Sequence, residues 1–160
     1  MIANADPTRM ILLAPVIFIA HVCEEAPGFV NWFNSLVRQG ITQPLFIGVN
    51  VVALLVTLAL TALAAWDRNL GSMLAALAWL GFLMLANAIF HLTGTLVHGR
   101  YSPGTITAAA LYLPYFGWLV WLVRGRFGIS IFKVLAVSVL AGIPMFVHGY
   151  LIVCEGRRLF

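Results

Sequence analysis

Long apolar runs broken by short polar turns organise this chain from end to end. The first run, residues 9–26, stops at Pro27-Gly28, where a proline of fixed φ followed by a permissive glycine ends a helix. The second, 43–66, is closed by Asp67-Arg68-Asn69, and the third, 71–97, passes into His98-Gly99-Arg100-Tyr101-Ser102-Pro103-Gly104, a stretch dense in turn formers. The fourth, 103–123, carries Pro114 as an expected kink and is closed by Arg124-Gly125-Arg126. The fifth, 129–153, carries Pro144 and ends at Glu155-Gly156-Arg157-Arg158. A helix needs roughly 20 apolar residues to cross a bilayer, and each run meets that length. Between the first two, residues 29–38 mix aromatic and aliphatic side chains with Asn and Arg, which fits a short helix lying in the interface. The pattern predicts an all-α polytopic membrane helix bundle of about five transmembrane helices with one short interfacial helix, forming a single membrane domain over 1–160.

Composition sharpens this picture. Of 160 residues, 62% are hydrophobic and 9% charged, whereas charged residues approach a quarter of a soluble domain. The net charge of +4 comes from nine Lys and Arg residues scattered singly or in pairs. No run of them could track a nucleic-acid backbone, so they read as loop and interface anchors beside membrane lipids. They leave the membrane orientation undetermined: Arg9, Arg68, Arg124, Arg126 and Lys133 fall on one side, and Arg38, Arg100, Arg157 and Arg158 on the other. Cys23 and Cys154 define no disulfide framework. The first run ends in His-Val-Cys-Glu-Glu and not in a small-residue cleavage site, so it is read as a mature helix. Trp32, Trp66, Tyr101 and Tyr150 are expected at the interfaces as an aromatic belt.

Ionisable side chains inside hydrocarbon are costly unless they face a cavity, a partner or an ion. Here His21, Glu24 and Glu25 lie on the first segment, Asn87 and His91 on the third, and His148 on the fifth. Those three segments run in the same direction, and all six residues lie in their C-terminal halves. At 1.5 Å per residue, the histidines sit roughly 8 to 13 Å below one face. Asn50, early in the antiparallel second segment, falls in the same layer. His21 and Glu25 are one helical turn apart, as are Asn87 and His91. Brought together, these groups offer about four to six nitrogen and oxygen ligands, which suits zinc or one or two iron or manganese ions. Asn87 is a weak ligand and is an alternative orienting group. His98 is expected at the water interface, Tyr101 as a lid or hydrogen-bond donor over the site, and Cys23 as a small residue permitting close helix contact.

His21-Val-Cys-Glu24-Glu25, Asn87-Ala-Ile-Phe-His91 and Tyr101-Ser-Pro103-Gly104 together resemble the family of small membrane proteins named for its HXXEE motif, which also carries NxxxH and YxPG motifs. The resemblance implies an integral membrane metal-dependent enzyme and marks His21, Glu24, Glu25, Asn87, His91 and Tyr101 as motif positions. His148 enters from the depth argument alone.

The reading these residues support is a metal-dependent membrane enzyme acting on a hydrophobic, lipid-like small molecule that enters from the bilayer. His21, Glu25, His91, His148 and Asn87 are the expected metal group, and Glu24 is the expected general base on a metal-activated water, assisted by Tyr101. Hydrolysis is mildly preferred, and no nucleotide or flavin motif is present. An iron-dependent oxidoreductase would use the same ligands. Two further alternatives are an ion or metal transporter with the cluster as its transport site and an assembly subunit whose polar cluster only fixes helix packing.

Overall fold

A computed structural model describes residues 6–157; Arg158, placed above at the close of the fifth segment, lies outside the described residues. The chain is helical throughout, with no strand among the described residues. Five helices are long and apolar enough to cross a membrane: α1 (Pro7–Glu25), α3 (Gln43–Asp67), α4 (Leu70–His98), α5 (Thr105–Phe127) and α6 (Ile131–Glu155). A short helix, α2 (Phe29–Asn34), follows α1. This is a multi-pass membrane architecture, and the segment ends shift from the sequence reading by four residues or fewer.

Local chemistry sets the helix ends. Asp6, Thr42, Asn69 and Ser130 each accept a hydrogen bond from a backbone N–H of the first turn that follows, meeting donors that have no intrahelical partner. Arg68 (φ 52°) makes the left-handed turn that lets α4 follow α3 after a single further residue. Pro114 stands at the exit of a π-helical stretch, Ala108–Tyr112, within α5. A second π-helical stretch, Gly81–Ala86, interrupts α4 just before Asn87.

α4 is the central helix: 56% of its most apolar window is buried, against 17% in α3, whose exposed Val49, Val52 and Leu55 form a lipid-facing side. Its closest neighbour is α6. A Cβ on Gly81 would lie 2.4 Å from the Ser138 carbonyl oxygen, and one on Gly142 would lie 3.3 Å from the Ala86 Cβ. Small residues thus let two backbones touch, which is how membrane helices gain packing without a hydrophobic driving force.

Two expectations are corrected here. The interfacial helix spans Phe29–Asn34 rather than 29–38, and it is an inward-facing element: Trp32 and Phe33 are buried against Phe90, Ile152 and Val153. Trp32 therefore leaves the aromatic belt. Gly94 makes the room, since a Cβ there would lie 2.9 Å from the indole ring. Cys23 does not mediate close helix contact; it is free and exposed.

Replacing Gly81 by valine should force α4 and α6 apart and cost about 1 to 3 kcal/mol or more. Thermal unfolding in detergent should show the loss, and Gly48→Val, in open space on α3, should show little.

Candidate metal centre

The C-terminal parts of α1 and α4 and the first turns of α5 meet at one end of the bundle. The i, i+4 spacing places His21 and Glu25 on the buried face of α1, both nearly inaccessible, with His91 fully buried opposite them on α4. Glu25 Oε1 lies 3.0 Å from His91 Nε2 and 3.7 Å from His21 Nε2. The two imidazoles meet edge to face with ring centroids 5.1 Å apart. Neither Nε2 makes an aligned hydrogen bond with any described residue. Among the described residues, His21, Glu25 and His91 form the group whose ligand atoms all lie within 4.8 Å of one another.

The far side of each ring is held by a hydroxyl. His21 Nδ1 is 2.7 Å from Thr107 Oγ1, and His91 Nδ1 is 2.9 Å from Ser102 Oγ. The Thr107 hydroxyl also lies 3.3 Å from the Gly104 carbonyl; when it donates there it accepts from His21 Nδ1–H. That tautomer leaves the His21 Nε2 lone pair facing Glu25 and His91, the usual arrangement by which an outer partner fixes a metal-binding histidine.

Glu24 points away from this trio toward the turn before α5. Its Oε1 accepts from the Tyr101 hydroxyl, from Gly104 N–H at 3.1 Å and from Ile106 N–H at 3.0 Å, and its Oε2 accepts from Thr107 N–H at 2.7 Å. Each carboxylate oxygen has about two lone-pair sites; the donors crowd Oε1 and leave one site on Oε2. Glu24 thus caps α5 from a different helix, placing a negative charge where three backbone N–H groups and the helix dipole favour one.

The turn it anchors roofs the histidines. Gly104 has φ +105°, and a Cβ there would lie 2.8 Å from His91 Cε1, 2.9 Å from His21 Cε1 and 3.0 Å from His91 Nε2. Only glycine satisfies both the backbone angle and the contact. Pro103 packs over Gly28, whose Cβ would lie 3.1 Å from the Pro103 ring. Every position of Tyr101-Ser102-Pro103-Gly104 therefore has a contact to make.

The remaining site residues fall elsewhere. Asn87, Asn50 and His148 line a cavity of about 270 Å³ that also touches His21 and Glu25, and whose other walls are apolar, including Phe18, Phe46 and Phe90. The Asn87 side chain interacts with His21, although its Oδ1 makes no aligned hydrogen bond among the described residues, and the Asn50 amide donates to the Phe46 carbonyl at 3.0 Å. His148 is in the cavity wall and is not one of the close trio. Tyr101 is half exposed. His98 turns inward to the Val153 carbonyl at 3.1 Å, tying α4 to α6.

The sequence reading missed Ser102, Thr107 and Tyr112. Tyr112 is fully buried, and its ring lies 4.2 Å from His21, centroid to centroid. No periodicity exposed it, because the π-helical stretch changes the register of α5. Residues 107 and 112 would diverge by about 140° on a regular α-helix; the i, i+5 pattern of a π-turn brings both onto His21.

With this geometry in place, the comparison with known families is decisive. Residues 12–119 match the family model described as "Protein of unknown function with HXXEE motif". The chain belongs to the HXXEE family. The match covers well over half of the chain and contains His21, Glu24, Glu25, Asn87, His91 and Tyr101. No curated protein and no solved structure matches this HXXEE protein.

Two predictions follow from the turn. Burial, and then the hydrogen bond to Glu24, push the Tyr101 phenol from the ordinary 10 to about 12. A pKa raised on folding means that the stabilisation is intact below pH 10 and fades as pH rises toward 12. Ultraviolet titration of the wild type against Tyr101→Phe should isolate this phenol near pH 12, and Glu24→Gln should bring it down toward 10. Gly104→Ala should cost several kcal/mol through its backbone angle and its clash with both rings, measured as a lowered melting temperature in detergent.

Proposed function

We propose that this HXXEE protein is an integral membrane metal-dependent enzyme acting on an uncharged hydrophobic molecule, with His21, Glu25 and His91 as the metal ligands. The observation that carries the reading is the buried trio itself. A carboxylate withdrawn from water between two imidazoles is expensive unless a cation offsets it, and no Lys or Arg among the described residues pairs with Glu24 or Glu25. The Glu25–imidazole separations of 3.0 and 3.7 Å bracket the roughly 3.4 Å expected between tetrahedral ligands about 2.1 Å from one ion. Three protein ligands beside a cavity match a centre that keeps a position open for substrate or water.

A divalent metal at that centre would polarise a substrate oxygen or activate a water as nucleophile. The residues around it divide the remaining work. Glu24, held by four donors and turned away from the trio, is a positioning residue in this reading rather than the general base expected from sequence; Tyr101 supports it. His148, in the cavity wall, is the titratable group given the proton-transfer role in this reading. Asn87 offers an acceptor to an O–H or N–H of the substrate.

The cavity supports the substrate class. At about 270 Å³ it lies at the small end for ligand sites and suits a single chain or small ring system. Among the described residues, no Lys or Arg lines it. Glu24 and Glu25 together balance a divalent charge, so an anionic head group would find no net attraction. Leu45 and Val49, on the lipid-facing side of α3, form part of the wall and provide lateral access from the bilayer.

Protein purified without chelators should hold one divalent ion per chain by elemental analysis, and Glu25→Ala, His21→Ala and His91→Ala should each lose it. A metal-free wild type would refute the reading. Stoichiometric iron in place of zinc would favour the oxidative chemistry that two histidines and one carboxylate also support, and metal flux into proteoliposomes abolished by Glu25→Ala would favour transport.

A further inference from the structure

We infer that Tyr112 is a fourth protein group of the metal centre, a neutral hydroxyl that donates a hydrogen bond to the non-protein ligand held there. The inference rests on the metal reading above and extends it to a residue outside the three motifs.

Tyr112 is fully buried, and its hydroxyl oxygen has no hydrogen-bonding partner among the described residues. A buried phenol without a partner is unusual, because tyrosine hydroxyls withdrawn from water normally find one. Tyr112 packs within the main apolar core, and it also meets the trio. The ring is tilted by 32° against His21 at 4.2 Å, and the Glu25 carboxylate is close enough to act electrostatically on the hydroxyl. The other unpartnered polar atoms in this part of the fold are His21 Nε2, His91 Nε2 and Asn87 Oδ1. Two of these belong to the ligand trio and the third lines the adjoining cavity, so one bound group accounts for several unmet atoms at once.

The backbone is arranged to deliver this side chain. The π-helical stretch Ala108–Tyr112 sets Tyr112 and Thr107 on the same ring of His21, one through stacking and one through Nδ1. A regular α-helix would turn Tyr112 away and leave that space to an aliphatic residue. π-Turns cost hydrogen-bond geometry and concentrate at functional sites, and here the displaced residue is a phenol delivered to a ligand histidine.

Of the chemistries open to a tyrosine, donation fits the site better than ligation as phenolate. Glu24 and Glu25 already supply two negative charges, and a third would leave a divalent centre with excess negative charge inside an apolar bundle. A neutral hydroxyl adds a directed proton and no charge.

The test uses the full-length protein in detergent, stripped with a chelator and titrated with zinc. Tyr112→Phe keeps the ring and removes only the hydroxyl. Zinc affinity, measured by competition with a chelating dye, should fall by about 10- to 100-fold, the effect of losing an outer-shell partner. The metal-free variant should melt at the wild-type temperature or higher, because an unmet buried hydroxyl has been removed. Tyr112→Leu, which also removes the stacking, should lower the melting temperature with and without zinc. Unchanged zinc affinity in Tyr112→Phe, or an equal drop in melting temperature with and without zinc, would overturn the inference while leaving the trio intact. Failure of the wild type to bind zinc, iron or manganese would overturn both readings together.

Discussion

The carboxylate of Glu24 ties α1 to the turn that begins α5, and the geometry of the centre depends on that tie. Its acceptors take the Tyr101 hydroxyl and three backbone N–H groups. Such charge-assisted bonds are worth about 1.5–3 kcal/mol each, more than neutral ones. Because the helix N-terminus is fixed to α1, Gly104 rests on the Cε1 edges of both imidazoles and Ser102 and Thr107 reach their Nδ1 atoms. The motif positions are therefore coupled. The second residue of the acidic pair sits in the buried cluster that could hold a metal ion, and the first holds the loop that orients the histidines.

Charge explains why the two neighbouring glutamates behave differently. Glu24 is partly accessible and accepts from three backbone N–H groups, so it keeps its charge without touching a cation, while it still acts electrostatically on His21 and His91. Glu25 is buried, touches two imidazoles and has no Lys or Arg partner among the described residues. In a low-dielectric bundle that arrangement calls for positive charge between the three groups. One helical step on α1 thus separates a carboxylate held by the turn before α5 from one that lies between two imidazoles.

Much of this was legible from sequence. Apolar run length placed all five spanning helices, since hydrocarbon thickness leaves little freedom, and the i, i+4 rule paired His21 with Glu25. The same logic placed His148 by depth, and it lines the cavity that His21 and Glu25 also touch. Depth alone grouped it with the other histidines, whereas lateral placement in a bundle depends on packing contacts such as Gly81 against Ser138, which carry no periodic signal. The partners of Glu24 were not legible, because helical spacing shows which residues are neighbours on α1 and not what lies across from them. Ser102, Thr107 and Tyr112 were hidden for a related reason: hydroxyl residues are unremarkable in an apolar run, and a π-turn breaks the register by which they would be counted. Trp32 was read as an interface anchor because nothing local reveals the space left by Gly94.

The buried cluster and the cavity beside it draw on different helices. The metal trio and its hydroxyl partners come from α1, α4 and the start of α5, all inside the stretch that matches the HXXEE family. The cavity draws Met145, His148 and Ile152 from α6, beyond that stretch, and Leu45 and Val49 from the outward-facing α3. Changes in α6 would reshape the space in front of the centre while leaving the Glu24 tie and the imidazole partners in place. Chemistry and fit are thus held by different parts of the bundle. The contact that joins them is the close packing of α6 on α4 around Gly81, adjacent to the π-turn that delivers Asn87 to the cavity wall.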